Sequence, residues 1–421
     1  MEKYKILMLS DHALSPSGVG VQSRFLANGL VDKGRWTVRQ LGAAIKHDDY
    51  SLTKVAEDFL IKPVDGFGTP EMIRSLLASE KPDIILLFTD PRFFVWLWQI
   101  EDEIHQICPI AYWHVWDNKP YPDFNDMFYK STDLINCHSH HTYTQVKERW
   151  PERTNFIPHS LPSEVFYRLD PMATKQHKVK LLGENKANDF VLFWVNRNAK
   201  RKRPADILES WSKFLNKIDN VAERKPATLI MHTDPYDQEG PDLTEVAKMF
   251  GVVENVIFST ERVGFQEMNI LHNVADCSIN ISYAEGFGLG TLESLQVGTP
   301  IIAIKTGGLT RQVVDHRDES QNGIALEVEL SSLVGSQNVP YIYEDYVSTD
   351  TVSDAILKMY TMPSAEKAKL SKKCEDYAKS EFNHQKTIDD WDSTLAKTVE
   401  NWKEGKSTTT RFELIEIWKT Y

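Results

Sequence analysis

No stretch of this 421-residue chain holds the roughly 20 consecutive apolar residues that a membrane-spanning helix requires. The opening MEKYKILMLS has too short an apolar run for a secretion signal and reads as a buried strand. Cysteine is scarce: Cys108, Cys137, Cys277 and Cys374 are scattered and form no CxxC pair. That spacing excludes a disulfide framework and a zinc ribbon, and each thiol is expected to pack as a small hydrophobe in a reducing compartment. The protein is therefore expected in the cytoplasm. Positive charge is in deficit too, with 48 Lys and Arg against 60 Asp and Glu, a net of −12. Residues 1–160 alone hold 17 against 21, a net of −4, so no basic docking face stands out there. Both figures speak against nucleic acid or an anionic membrane as the main partner. The segment CHSHH at 137–141 has poor spacing for a tetrahedral site and no carboxylate or cysteine placed to complete one, so no metal is expected. Internal repeats and low-complexity segments are absent.

What is present is a globular composition, 41% hydrophobic and 26% charged, on a chain too long for one ordinary core. Short apolar runs alternate with longer mixed stretches, the pattern of βαβ units around a parallel sheet. Strands are expected at Tyr4–Leu9, Thr37–Leu41, Ile84–Phe88, Ile110–His114 and Leu134–Asn136, with helices near Val21–Leu30, Pro70–Ser79 and Thr142–Arg149. Residues 168–188 are polar, lysine-rich and without period, and read as a linker. Strands resume at Phe190–Val195, Thr228–His232, Val256–Phe258, Cys277–Ile281 and Pro300–Ile304. Helices at Pro204–Lys217, Leu243–Phe250, Gln266–Asn273 and Leu289–Gln296 separate them. The expected organisation is α/β: an N-terminal Rossmann-like domain over 1–167, a linker over 168–188 and a second Rossmann-like domain over 189–385. A helical tail over 386–421 should pack back. Trp391, Trp402 and Trp418 in or near that tail should cover apolar surface.

The strongest chemical signal is NISYAEGFGLGTLESLQVGTP at 280–300. A strand ends near Ser282, a glycine-bearing turn follows, and a helix begins near Gly288. Glycines let backbone N–H groups approach a ligand, and the helix start adds unpaired donors and partial positive charge. Glu285 and Glu293 bracket this anion site, and carboxylates accept paired hydrogen bonds from vicinal hydroxyls. Phosphate donors between two hydroxyl-grasping carboxylates suit a nucleotide-sugar. A second cluster, WVNRNAKRKRP at 194–204, follows the first strand of the second domain, and five of the seven residues from Arg197 to Arg203 are basic. Taken alone, that cluster is equally a solvated charge run.

The string E-G-F-G-L-x-x-x-E resembles the E-x7-E motif of glycosyltransferase family 4, retaining enzymes of the two-domain GT-B fold. The resemblance runs from Gly18 to about Gly323 and is stronger in the second domain. It implies two parallel sheets facing a central cleft and a C-terminal helix packing back on the N-terminal domain. It places Glu285 by the donor sugar and Glu293 on the ribose, with the backbone at Phe287, Gly288 and Leu289 facing the sugar and distal phosphate. It puts Arg197 and Lys202 on the donor diphosphate, where many members carry glycine after the lysine and this chain has Arg203. Gly18 and Gly20 resemble the glycine-rich loop under the donor phosphate, though an ordinary β–α turn reads the same way. His114 stands where members often carry a histidine near the donor sugar and acceptor, and a structural histidine at a strand end is an equal reading. In TGGLTRQVVD at 306–315, Arg311 and Gln312 occupy the place of the family's glutamate, so no carboxylate role carries over.

The expectation is a retaining, metal-independent glycosyltransferase that needs no cofactor. It would move a sugar from a nucleotide-diphosphate sugar to an acceptor hydroxyl on a glycan, lipid-linked sugar, protein or small molecule. A DxD motif for metal-dependent transfer is absent in the right context, Asp48–Asp49 and Asp123 to Asp126 being discounted. An epimerase on the same architecture, a non-catalytic nucleotide- or sugar-binding protein, and a transferase acting on DNA or protein are the alternatives. The aromatic, proline-rich WDNKPYPDFNDMF reads as part of an acceptor pocket or as a packed loop. FFVWLW at 93–98 reads as a buried helix segment, with peripheral membrane contact as its alternative.

Overall fold

Alternation of side chains through β1 (Tyr4–Asp11) sets the first core: Ile6 and Met8 enter one apolar cluster, Leu7 and Leu9 another. Strand β5 (Ile84–Phe88) repeats this, with Ile84, Leu86 and Phe88 against Ile85 and Leu87. Strands buried on both faces read as unbroken apolar runs, which is why these were legible in the sequence. The computed structural model describes residues 3–219, 221 and 224–407. The chain forms two compact units, Met1–Trp116 with Tyr121–His159 and Gln385–Tyr421, and Asp117–Pro120 with Ser160–His384.

The first unit's sheet also contains β2 (Trp36–Ala43), β3 (Thr53–Ala56), β4 (Phe59–Pro63), β6 (Ile110–His114), β7 (Leu134–Cys137) and β8 (Thr154–Phe156), in the order β3-β4-β2-β1-β5-β6-β7-β8. Every neighbouring pair is parallel except β3 with β4. In the second unit, β9 (Phe190–Val195), β10 (Ala227–His232), β11 (Val256–Ser259), β12 (Cys277–Asn280), β13 (Ile301–Ile304) and β14 (Gly323–Leu326) form a parallel sheet in the order β11-β10-β9-β12-β13-β14. The order reverses between β9 and β12, and open α/β sheets bind ligands beyond the carboxyl ends of strands at such a switch point. An antiparallel pair, β15 (Leu330–Val334) with β16 (Ile342–Tyr346), completes that unit.

Residues 168–188 are not a featureless linker. They hold the helix Pro171–Leu182 within the second unit, started by the Asp170 carboxylate, which accepts from the N–H groups of Met172 and Ala173 at 2.9 Å each. Lys178 anchors it, donating to the Asp189 carbonyl at 2.7 Å and lying 3.2 Å from Asp276. No residue of this helix is fully buried, so no apolar period marked it.

The C-terminal helix His384–Lys403 packs within the first unit, contributing Ile388, Trp391, Leu395, Ala396 and Val399 to the cluster that holds Ile6 and Met8. The Trp391 ring lies 4.8 Å from Trp113. The preceding helix Ser364–Glu381 belongs to the second unit, where the Tyr377 hydroxyl donates to the Arg311 carbonyl. Trp418 lies outside the described residues. Phe93–Trp98 falls in two short helical turns that bury Phe94, Leu97 and Trp98 and leave Phe93 and Val95 exposed. Among the described residues no helix is long and apolar enough to cross a membrane.

Candidate functional site

Two strand ends build the site in the second unit. Beyond β12, the Asn280 side-chain oxygen accepts from the Ser282 N–H at 3.0 Å and its hydroxyl at 2.6 Å, turning the chain. The Tyr283 N–H donates to the Arg201 carbonyl at 2.8 Å, which ties this turn to the basic segment after β9. Glu285 and Lys202 consequently meet as a buried ion pair. Arg201 donates to the Ala284 carbonyl at 3.0 Å and lies 3.7 Å from Asp117. Burial pushes the Glu285 carboxyl up, but the Lys202 ammonium and Arg201 guanidinium outweigh it and hold it down to about 2. Lys202, the more deeply buried cation, is itself pushed down by loss of water, with Glu285 opposing. Of the three consecutive basic residues 200–202, Lys202 is thus the one turned inward.

The glycine turn beyond Glu285 is held by close backbone packing and by side chains that donate to its carbonyls. Gly288 has φ +90°, and a Cβ there would stand 2.5 Å from Leu309 Cδ2. The Gly308 N–H donates to the Glu285 carbonyl at 2.9 Å, and a Cβ on Gly308 would stand 2.5 Å from Phe287 Cα. Gln312, given no role by the sequence, donates to the Phe287 and Gly288 carbonyls at 2.7 and 3.1 Å. These contacts occupy the carbonyls of the turn. The start of the helix Leu289–Gln296 carries no side-chain cap, so its N–H end retains the partial positive charge that attracts anions. Glu293 lies within that helix with its side chain 15% exposed.

The remaining cations are arranged differently from expectation. Arg197 is well exposed and forms a two-pronged pair with Asp237, at 2.7 and 3.0 Å. Asn198 fixes that partner's loop by donating to the Pro235 and Pro241 carbonyls at 3.2 and 2.9 Å. Arg203 occupies the left-handed region at φ +56°, where glycine avoids the Cβ penalty. It is buried and bonded to Asp206 at 2.6 Å and the Val347 carbonyl at 2.9 Å, with its guanidinium 4.9 Å from the Tyr283 ring centre. These contacts offset the backbone strain and make Arg203 a structural anchor.

In the first unit, Gly18 opens the helix Gly18–Asp32 and Gly20 lies in its first turn, where the Ser17 hydroxyl accepts from the Gly20 N–H at 3.0 Å. A Cβ on Gly20 would run into the Ser15 hydroxyl and stand 2.6 Å from the His12 carbonyl oxygen, so close packing alone requires glycine there. His114 is fully buried, and its Nε2 lies 2.9 Å from the Tyr129 hydroxyl. Burial drives its pKa down to about 3, so the ring is neutral near pH 7, which suits the structural reading of a histidine at a strand end. Asp117–Pro120, read with the aromatic stretch before Phe128, belong to the second unit. There the Asn118 amide donates to the Tyr343 carbonyl at 2.9 Å and Asp345 at 2.8 Å. Among the described residues no group of three or more His, Cys, Asp or Glu is gathered to hold a metal ion.

The family described as glycosyl transferases group 1 matches residues 178–334, which contain Arg197, Lys202, Glu285 and Glu293. A D-inositol 3-phosphate glycosyltransferase from Nocardiopsis dassonvillei is 23% identical over 194 residues, 45% of this chain and 44% of that protein. The chain thus matches less than half the length of that curated relative. A sucrose-phosphate synthase from Thermosynechococcus elongatus superposes with a TM-score of 0.70 at 16% identity, over 96% of this chain and 99% of that one. Anabaena HepE in complex with UDP and glucose gives 0.65 at 16%, over 94% of this chain and 100% of the other. These likenesses show the fold, GT-B with two Rossmann-like sheets.

Proposed function

We propose that the chain is a retaining, metal-independent glycosyltransferase that uses a nucleotide-diphosphate sugar, a reading supported by the match of residues 178–334 to the glycosyl transferases group 1 family. The observation that carries the reading is the buried Lys202–Glu285 pair set beside the uncapped start of the helix that also bears Glu293. The ammonium and the helix N–H groups would stabilise the diphosphate as it departs, with Arg197 joining once it leaves Asp237. Glu285, held as a carboxylate, would accept from sugar hydroxyls, and Glu293 from the ribose. The bond from the anomeric carbon to the diphosphate breaks, the bond to the acceptor oxygen forms on the same face, and the acceptor proton passes to the departing diphosphate. No cofactor enters this scheme, and protein cations carry the charge neutralisation a metal would otherwise supply. Four buried free thiols suit a reducing compartment, so we place the enzyme in the cytoplasm.

The test is thermal stabilisation by UDP, GDP, ADP and their sugar conjugates, in chelator and in magnesium, on wild type and Glu293→Ala. A ligand at a hundred times its dissociation constant adds about 2.7 kcal/mol. One nucleotide family should stabilise wild type in chelator and lose its effect on the variant. The absence of any response would remove the transferase reading, and a response only with magnesium would remove metal independence. Anomeric configuration of the first product then decides retention.

A further inference from the structure

Resting on the donor reading above, we infer that His272 is a positioning residue: it fixes the Glu293 carboxylate for a cis-diol and so sets the preference for ribonucleotide over deoxyribonucleotide donors. His272 lies on the helix Phe265–Val274 and is fully buried. Its Nε2 stands 2.8 Å from Glu293 Oε2, and its Nδ1 stands 2.8 Å from the Ser294 hydroxyl. Both partners are neighbours on the facing helix Leu289–Gln296, so one ring bridges the two helices at adjacent positions. A carboxylate only accepts, so Nε2 carries a proton and donates to it. The Ser294 hydroxyl also reaches the Gly290 carbonyl at 3.0 Å, which fixes it as the ring's second contact. The Thr299 hydroxyl donates to the His272 carbonyl at 2.7 Å, and the Phe193 ring stands edge-on to the imidazole at 5.0 Å. The imidazole is therefore held from three sides and has little rotational freedom. Binding Oε2 leaves Oε1 of the half-buried Glu293 available to a ligand.

A freely rotating glutamate loses side-chain entropy when it grips a diol, whereas one already tethered loses less. The effect should fall on ligands that possess the diol and spare those that lack it. Sequence offered a faint signal: His272 precedes Glu293 by 21 positions and sits on the predicted helix ending at Asn273.

The experiment measures binding of UDP, GDP and ADP, each beside its 2′,3′-dideoxy counterpart, to the full chain. Hydrogen bonds to a charged group correspond to about a 10- to 100-fold preference for the ribonucleotide in wild type. Glu293→Ala should bring the ratio close to one. His272→Gln, whose amide nitrogen reaches the place of Nε2, should keep most of the preference. His272→Asn, which can meet Ser294 but is too short for Glu293, should lose about tenfold of it. Equal ratios in the Gln and Asn variants would overturn the positioning role and leave the donor reading intact. A wild type that binds none of the nucleotides, or binds them with no preference, would overturn the donor or ribose assignment itself, and His272 with it.

Discussion

Replacing Lys202 with methionine keeps the length of the side chain and removes its charge, which leaves the Glu285 carboxylate buried beside Arg201 alone. Glu285 falls from 4.5 to about 2 in the folded protein, a difference of about 2.5 pH units. At 1.36 kcal/mol per unit this is about 3 kcal/mol of stabilisation tied to its charge. Breaking a buried pair costs about 3–5 kcal/mol by analogy with other proteins, so the two routes agree at the lower end. The sign with pH follows. In wild type the Glu285 contribution is complete above pH 4.5 and is lost as pH falls towards 2. In the variant, burial goes largely unopposed and the carboxyl rises, so the deficit against wild type should be largest at pH 7 and shrink towards pH 5. Amide hydrogen exchange along β9 reads the opening of the second unit separately from the first. Adding Glu285→Gln to the methionine variant should recover part of the loss, because no charge then remains buried. A deficit under about 1 kcal/mol at pH 7, or one unchanged between pH 7 and pH 5, would refute the account of the pair.

Asp237→Asn should free Arg197, and because the pair is exposed the gain is small: at about 0.2–1 kcal/mol, nucleotide diphosphate affinity should rise no more than about fivefold by calorimetry. A fall in affinity would show that Asp237 serves the ligand directly. Gly288→Ala combines a Cβ 2.5 Å from Leu309 with φ +90°, and should destabilise the second unit by about 1–3 kcal/mol in urea denaturation while abolishing nucleotide binding. His114, depressed from 6.5 to about 3, adds stability that is complete above pH 6.5 and is lost as pH falls towards 3. His114→Gln should flatten that decline by up to about 1.4 kcal/mol per pH unit, and leave the pH dependence of transfer near neutrality unchanged.

The elements legible in the sequence are those whose signal is local. Strands such as IILLF at 84–88 and FVLFWV at 190–195 are buried on both faces and announce themselves as apolar runs. The elements that escaped carry no such run. Strand β15, LSSLV, is half polar with Leu330 and Leu333 exposed. Strand β3, TKVA, has no fully buried residue, and the helix over 171–182 stands on capping and two lysine contacts rather than an apolar face. Strand β14, GIAL, opens directly on the Asn322–Gly323 dipeptide, which by itself signals a turn. There Gly323 has φ +147° and its α-carbon lies against the Ile301 backbone, a pairing that composition does not show.

The same division runs through the site. The two glutamates were found because one motif carries them just beyond β12, and Lys202 because a dense basic run follows β9. The groups that fix their behaviour come from distant segments. His272 meets Glu293 across 21 positions, Asp237 meets Arg197 across 40, and Lys202 meets Glu285 across 83. Arg203 shows how such a partner changes the meaning of a neighbour. A fifth basic residue in such a run reads either as a phosphate contact or as a solvated charge, yet its left-handed backbone, its pairing with Asp206 and the rings of Tyr283 and Tyr346 make it a structural anchor. A basic count therefore overstates the positive charge available to a donor here. Two cations, Arg201 and Lys202, lie close enough to shift Glu285, and Lys202 is the one both buried and paired with it.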